Sequence, residues 1–183
     1  MFIRSPFVLI AAVLALTPVS TAEVTEKAPD GFVIHLERAS SLPVSEVQTK
    51  ARDIGSWWSS AHTYSGDAAN MSLEPAGGSL FWIERWEAGF VEHGRVLVDM
   101  ESESAATLRF QAALGPLQEM GVTGVLSIVS EAETDEETPE ESTIRFQYVV
   151  TGASFSGLDG IADVVEMVLT EQIESLAASP EAL

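Results

Sequence analysis

The sequence predicts an α+β fold in which an antiparallel sheet of about six or seven strands curves around one long C-terminal helix. Three observations predict it. From residue 71 to 151 the chain runs as short alternating apolar and polar stretches separated by turn residues, the pattern of antiparallel strands. Residues 157–177 then carry Leu158, Ile161, Ala162, Val165, Leu169, Ile173 and Leu176 at helical spacing, with Asp159, Asp163, Glu166, Thr170 and Glu174 opposite. That stripe must be buried, and only the sheet offers enough surface. Strands first and a long helix last is the order of an α+β domain.

The elements follow in chain order. Residues 1–22 read as a cleavable secretory signal: Arg4 is their only charged side chain, residues 7–16 are ten apolar residues in a row, and Pro18 breaks the run. Ser20 and Ala22 then supply small side chains for the cut. Ten apolar residues are too few to cross a hydrocarbon core that needs roughly 20 in a helix. No stable membrane anchor is therefore expected after cleavage, and the protein should be periplasmic or secreted from a bacterium. Residues 23–30 are polar and read as a flexible lead-in to one domain over 31–178.

Within that domain, residues 32–38 form a first strand with Phe32, Ile34 and Leu36 on one side. Pro43-Val44 opens one or two short helices over 45–54. Trp57-Trp58 precede a polar loop, 62–67. Strands follow at 71–74, 80–87, 92–100, 107–113, 123–129 and 143–151. In the third of these, Gly94, Val96, Val98 and Met100 oppose His93, Arg95, Leu97 and Asp99, so periodicity points His93 and Arg95 outward. Residues 131–141 hold seven carboxylates but lack the alternating ligand spacing and internal glycine of a calcium loop. They read as a self-repelling exposed hairpin. Ser156 with Asp159 matches a capping pattern at the start of the last helix.

Composition narrows the partners. The chain holds 28 acidic and 9 basic residues, a net charge of −19, which repels phosphate backbones and anionic headgroups; no nucleic-acid role is expected. It contains no cysteine. Disulfides, thiol catalysis, cysteine-based zinc sites and lipid attachment at the cleavage site are all excluded, so stability rests on apolar burial.

The ordered set Trp57-Trp58-Ser59-Ser60-Ala61-His62-Thr63-Tyr64-Ser65, the Gly77-Gly78 turn into Phe81-Trp82-Ile83-Glu84, Val91-Glu92-His93-Gly94-Arg95-Val96, Leu114-Gly115-Pro116-Leu117-Gln118, Val122-Thr123-Gly124-Val125-Leu126 and the terminal helix resembles the START/SRPBCC superfamily. This is the helix-grip fold shared with the birch-pollen allergen and lipid-transfer domains. The likeness covers nearly all of the mature chain and is nearest to the bacterial polyketide-cyclase-like and chaperone-ATPase-activator-like branch. It implies a cavity between sheet and helix that takes an apolar or amphipathic small molecule. The superfamily spans binding proteins, cyclases, dehydratases and chaperone cofactors, so fold alone does not set function. Export would remove the cytosolic chaperones from reach.

Candidate site residues follow. Of Trp57 and Trp58, at least one belongs in the core, while the other can cap a cavity with its indole N–H. His62 and Tyr64 lie on a polar loop, where His62 is either a general acid–base or bonded to the loop backbone. Glu84 shares a strand side with Leu80, Trp82 and Trp86. Facing inward it would be a buried carboxylate with a raised pKa; facing outward it would be solvated, and one bulge decides. Trp82, Phe110, Tyr148, Val165 and Leu169 would line the interior. The loops 62–67 and 115–121, the latter with Leu117, would form the rim. His62, Glu84 and His93 lack the spacing of a metal site, and no nucleophile elbow is present, so no metal, cofactor or catalytic residue is assigned. The expected function is reversible binding of a small hydrophobic or amphipathic molecule by a monomer. The alternatives are a cyclase- or dehydratase-like enzyme moving protons through Glu84 or His62, and a protein-binding adaptor with an acidic surface.

Overall fold

Eight extended segments pair through their backbones into one sheet. The computed structural model describes residues 21–133 and 141–179. The strands are β1 (Thr21–Ala28), β2 (Gly31–Ser40), β3 (Met71–Ala76), β4 (Ser79–Trp86), β5 (Gly89–Glu101), β6 (Ala105–Ala112), β7 (Thr123–Ala132) and β8 (Ser142–Thr151). Helix α1 (Val44–Arg52) and three short 3-10 turns lie between β2 and β3, and helix α2 (Ala162–Ala177) closes the chain. The sheet is open and curved, every neighbouring pair is antiparallel, and the order is β1-β2-β8-β7-β6-β5-β4-β3.

One concave face carries the core. Phe32, Ile34 and Leu36 of β2, Leu108 and Phe110 of β6, Leu126 and Ile128 of β7, and Ile144, Phe146, Tyr148 and Val150 of β8 all turn inward and are buried. Helix α2 packs Leu169, Ile173 and Leu176 against β1, β2 and β8. Helix α1 packs Val47 and Ala51 over β6 and β7. Lys50 of α1 ties the two helices together by donating to the carbonyls of Ser175 and Ala178 at the end of α2. That contact satisfies acceptors a helix C-terminus otherwise leaves open.

Several expectations are corrected. Residues 23–30 are no loose lead-in: most of them form β1, which pairs with β2 from Thr21↔Glu37 to Ala28↔Gly31. β1 is an edge strand held by backbone hydrogen bonds, with only Val24 packed on the core, so its polar composition hid it. It also raises the strand count to eight. The last helix starts later than 157. Gly157 adopts φ +64°, a 3-10 turn occupies Leu158–Gly160, and no side chain caps α2, so the Ser156/Asp159 pattern does not cap it. The apolar run 7–16 and most of the acidic hairpin, residues 134–140, lie outside the described residues.

The register of β5 carries the largest consequence. Trp82 pairs with Gly94 but Ile83 pairs with Glu92, leaving His93 as an extra, unopposed residue. A second bulge leaves Leu97 unopposed between Val96 and Val98. Each bulge kinks the strand and re-aims side chains. The first turns His93 inward to 5% exposure, against the outward direction that simple alternation gives; Arg95 does remain exposed. Glycine at 94 is required here, because a Cβ would lie 2.6 Å from that of Ala112.

Candidate functional site

The helices do not cover the whole concave face. Near the start of α2 a cavity of about 600 Å³ remains, within the range of small-molecule sites. Three segments wall it: the stretch 58–64, the corner 114–120, and the first turns of α2 with the residue before it, contributing Ile161, Val164, Val165, Val168 and Leu169. The lining is predominantly apolar.

The stretch 58–64 is fastened on every side. The Trp58 indole donates to the His62 carbonyl at 3.1 Å. The Ser59 N–H donates to Gln172 Oε1 at 2.7 Å, and His62 Nε2 meets Glu171 Oε2 at 3.0 Å, so α2 holds it from one side. The Tyr64 hydroxyl donates to the Gly115 carbonyl at 3.1 Å and joins the two rim loops. The far corner is set from within: the Tyr148 hydroxyl donates to the Ala112 carbonyl at 3.0 Å and accepts from the Leu114 N–H at 3.1 Å. Gly124 makes room for that hydroxyl, since a Cβ there would lie 2.7 Å from it. Burial pushes the Tyr148 hydroxyl pKa well up from its ordinary value, so it stays protonated there.

A buried ionisable pair meets the wall, with His93 in the lining and Glu84 behind it. Glu84 is fully buried; its carboxylate accepts from the Tyr64 N–H at 3.1 Å and from the Ser65 N–H, and it meets His93 Nε2 at 2.9 Å. Burial alone would raise its pKa, but the hydrogen bonds from Ser65, Tyr64 and His93 together outweigh burial and hold it below the usual carboxylate range. The raised pKa expected for an inward Glu84 is thereby corrected: the group is inward and ionised. Burial lowers the pKa of His93, with Glu84 opposing the shift in part. The pair at neutral pH is therefore a carboxylate and a neutral imidazole that donates through Nε2.

Six of the residues expected at the site line this cavity: Trp58, His62, Tyr64, Leu117, Val165 and Leu169. Five do not. Trp57, Trp82, Phe110 and Tyr148 turn inward but are core: α1 and the tryptophans fill that part of the concave face, with Trp82 packed between Trp58 at 4.8 Å and Phe110 at 5.4 Å. Glu84 sits behind His93 and does not reach the lining. His62 and Glu84 thus do not converge: each has its own partner. His93, Met120 and the α2 stripe Ile161, Val164 and Val168 complete the wall. That stripe was visible as apolar residues in excess of those one buried face requires. The mark in the sequence of the bulge that turns His93 inward is the isolated Gly94 inside a strand pattern.

No protein-family model matches the chain, and no curated protein sequence matches it. Solved structures do. A putative uncharacterized protein from Bacillus thuringiensis superposes with a TM-score of 0.52 at 12% identity, covering 79% of this chain and 96% of that one. A hypothetical protein from Helicobacter pylori gives 0.52 at 10% identity, covering 89% and 98%. A Thermobifida fusca protein gives 0.50 at 13% identity, covering 79% and 90%. At such identities the likeness establishes the fold, a curved antiparallel sheet with a C-terminal helix, which these bacterial proteins share.

Proposed function

We propose that this chain is an exported member of the SRPBCC superfamily that binds a small hydrophobic or amphipathic molecule in the cavity beside α2, with no covalent chemistry. The observation that carries the reading is the cavity itself, apolar, about 600 Å³, and walled by loops that hydrogen bonds hold open. A core filled solid would have left only the adaptor reading. The ordered motifs of the sequence support the superfamily. The enzyme reading loses support, because Glu84 does not reach the cavity and His62 is engaged by Glu171 at its rim.

Native mass spectrometry of protein purified from its own host tests the reading. Val165 is half-buried on the cavity wall, so Val165→Trp should occupy the space with little loss of fold. The wild type is expected to carry a small molecule that the variant lacks. No adduct in either protein, together with no thermal shift against a panel of lipids and aromatic polyketides, would count decisively against binding.

A further inference from the structure

We propose that His93 is the polar anchor of the cavity, and that the ligand is an apolar molecule carrying a hydroxyl group which donates its hydrogen to His93 Nδ1. The proposal rests on the binding reading above and names the class of molecule bound.

It follows from one juxtaposition. His93 lines a predominantly apolar cavity, while one of its ring nitrogens, Nε2, is held at 2.9 Å by the buried carboxylate of Glu84. That carboxylate is kept charged by the N–H groups of Tyr64 and Ser65, so it acts only as an acceptor, and Nε2 must carry the ring hydrogen. Nδ1 is then left with a lone pair, and among the described residues it has no hydrogen-bond partner. Trp82, with ring centroids 5.2 Å away, and Tyr64, at 5.8 Å, pack against the imidazole and hold its orientation. Turned to this predominantly apolar lining, an Nδ1 acceptor selects for a donor, since leaving it unpaired beneath a purely apolar ligand costs binding energy. The charged groups around it discourage an anion: Glu84 lies behind the ring and Glu119 lies on the cavity wall. Glu84 is the positioning residue, acting through the tautomer it imposes.

Equilibrium dialysis with 2-naphthol, naphthalene and 2-naphthoate provides the test, with three probes of like shape and different polar groups. The wild type should bind 2-naphthol about tenfold more tightly than naphthalene, the worth of one net buried hydrogen bond, and more tightly than 2-naphthoate. His93→Phe should retain naphthalene and lose the preference. An unchanged preference in that variant, equal binding of the two neutral probes by the wild type, or a preference for the carboxylate would each overturn the proposal. If the wild type binds none of the three, the cavity reading fails and this inference falls with it.

Two measurements on the wild type keep the test independent of the variant's folding. Nitrogen-15 spectra of the imidazoles should show His93 as the Nε2–H tautomer at neutral pH; the other tautomer overturns the assignment. Acidification should abolish the naphthol preference as His93 takes up a proton at Nδ1; the other titratable groups around it are Glu84 of β4, bonded to the ring, Tyr64, packed on it, and His62 and Glu119 on the same cavity lining. A preference that survives protonation of the ring would refute it.

Discussion

Glu84 carries the most consequence of any single residue. A carboxylate in the core is tolerated only because two backbone N–H groups and an imidazole replace its lost water. Truncation leaves those donors unpaired, so Glu84→Ala should lower unfolding free energy by about 3 kcal/mol or more, measured by urea denaturation. The pair also fixes how stability responds to pH. His93 has a folded pKa below its unfolded value of 6.5, so the unfolded chain takes up a proton that the folded chain refuses, and stability falls as pH drops below about 6.5. Glu84 and Asp99 have folded pKa values below the ordinary carboxylate range, so their stabilisation is complete above about 4.5 and is lost as pH falls towards their folded values. Melting temperature should therefore decline in two stages, and His93→Phe should remove the upper stage while moving the lower one to higher pH, because Glu84 loses a donor. A single acid transition below pH 5 in the wild type would contradict the burial of His93. The inward face of Glu84 was one of two readings the sequence left open, because period-two alternation gives two faces without saying which is concave.

At the scale of elements, what could be read was what repeats. The alternation of Ile144, Phe146, Tyr148 and Val150 gave β8, and the stripe from Leu158 to Leu176 gave α2, because burial acts on every second or every third and fourth residue. What the sequence hid breaks or lacks that periodicity, whether a whole element or the face of one residue. β1 is polar and held by its backbone, and β5 is bulged twice, which reverses the face of His93. Curvature also depends on close contacts that glycine permits. Gly124 lies beneath Tyr148 and against the Ala112 carbonyl, so Gly124→Ala forces apart β6 and β8 where they anchor the cavity corner. The expected cost is about 1–3 kcal/mol of stability, read by thermal denaturation. A neutral result would mean that the Tyr148 hydroxyl is free to move and does not set the corner. The cavity was legible only in part for a related reason. Sequence gives which side chains point inward, but where α1 ends and leaves the concave face uncovered is a matter of packing.

For the whole molecule, charge is the dominant unbalanced term. With 28 acidic and 9 basic residues, ion pairs such as Arg52 with Asp99 and Glu101, Arg145 with Glu37 and Glu131, and Arg85 with Glu74 engage much of the basic complement. The remaining carboxylates repel one another across the folded surface, a self-repulsion that salt screens within about 10 Å at 0.1 M. Melting temperature near neutral pH should therefore rise between low and moderate sodium chloride concentration, despite the weakening of those surface pairs. A fall would mean that the pairs outweigh the repulsion. The same acidity is compatible with the proposed export, which makes a separate prediction about the N-terminus. Cleavage after Ala22 would remove the residues that pair with Glu37 and Leu36 but leave Glu23↔His35 and the pairs beyond it, so the processed chain keeps most of β1 and should fold fully. N-terminal sequencing of the protein recovered from its bacterial host should begin at Glu23, in the periplasmic or extracellular fraction. Recovery of the chain from the cytosol with residues 1–22 intact would refute export, and would restore the cytosolic partners that export sets aside.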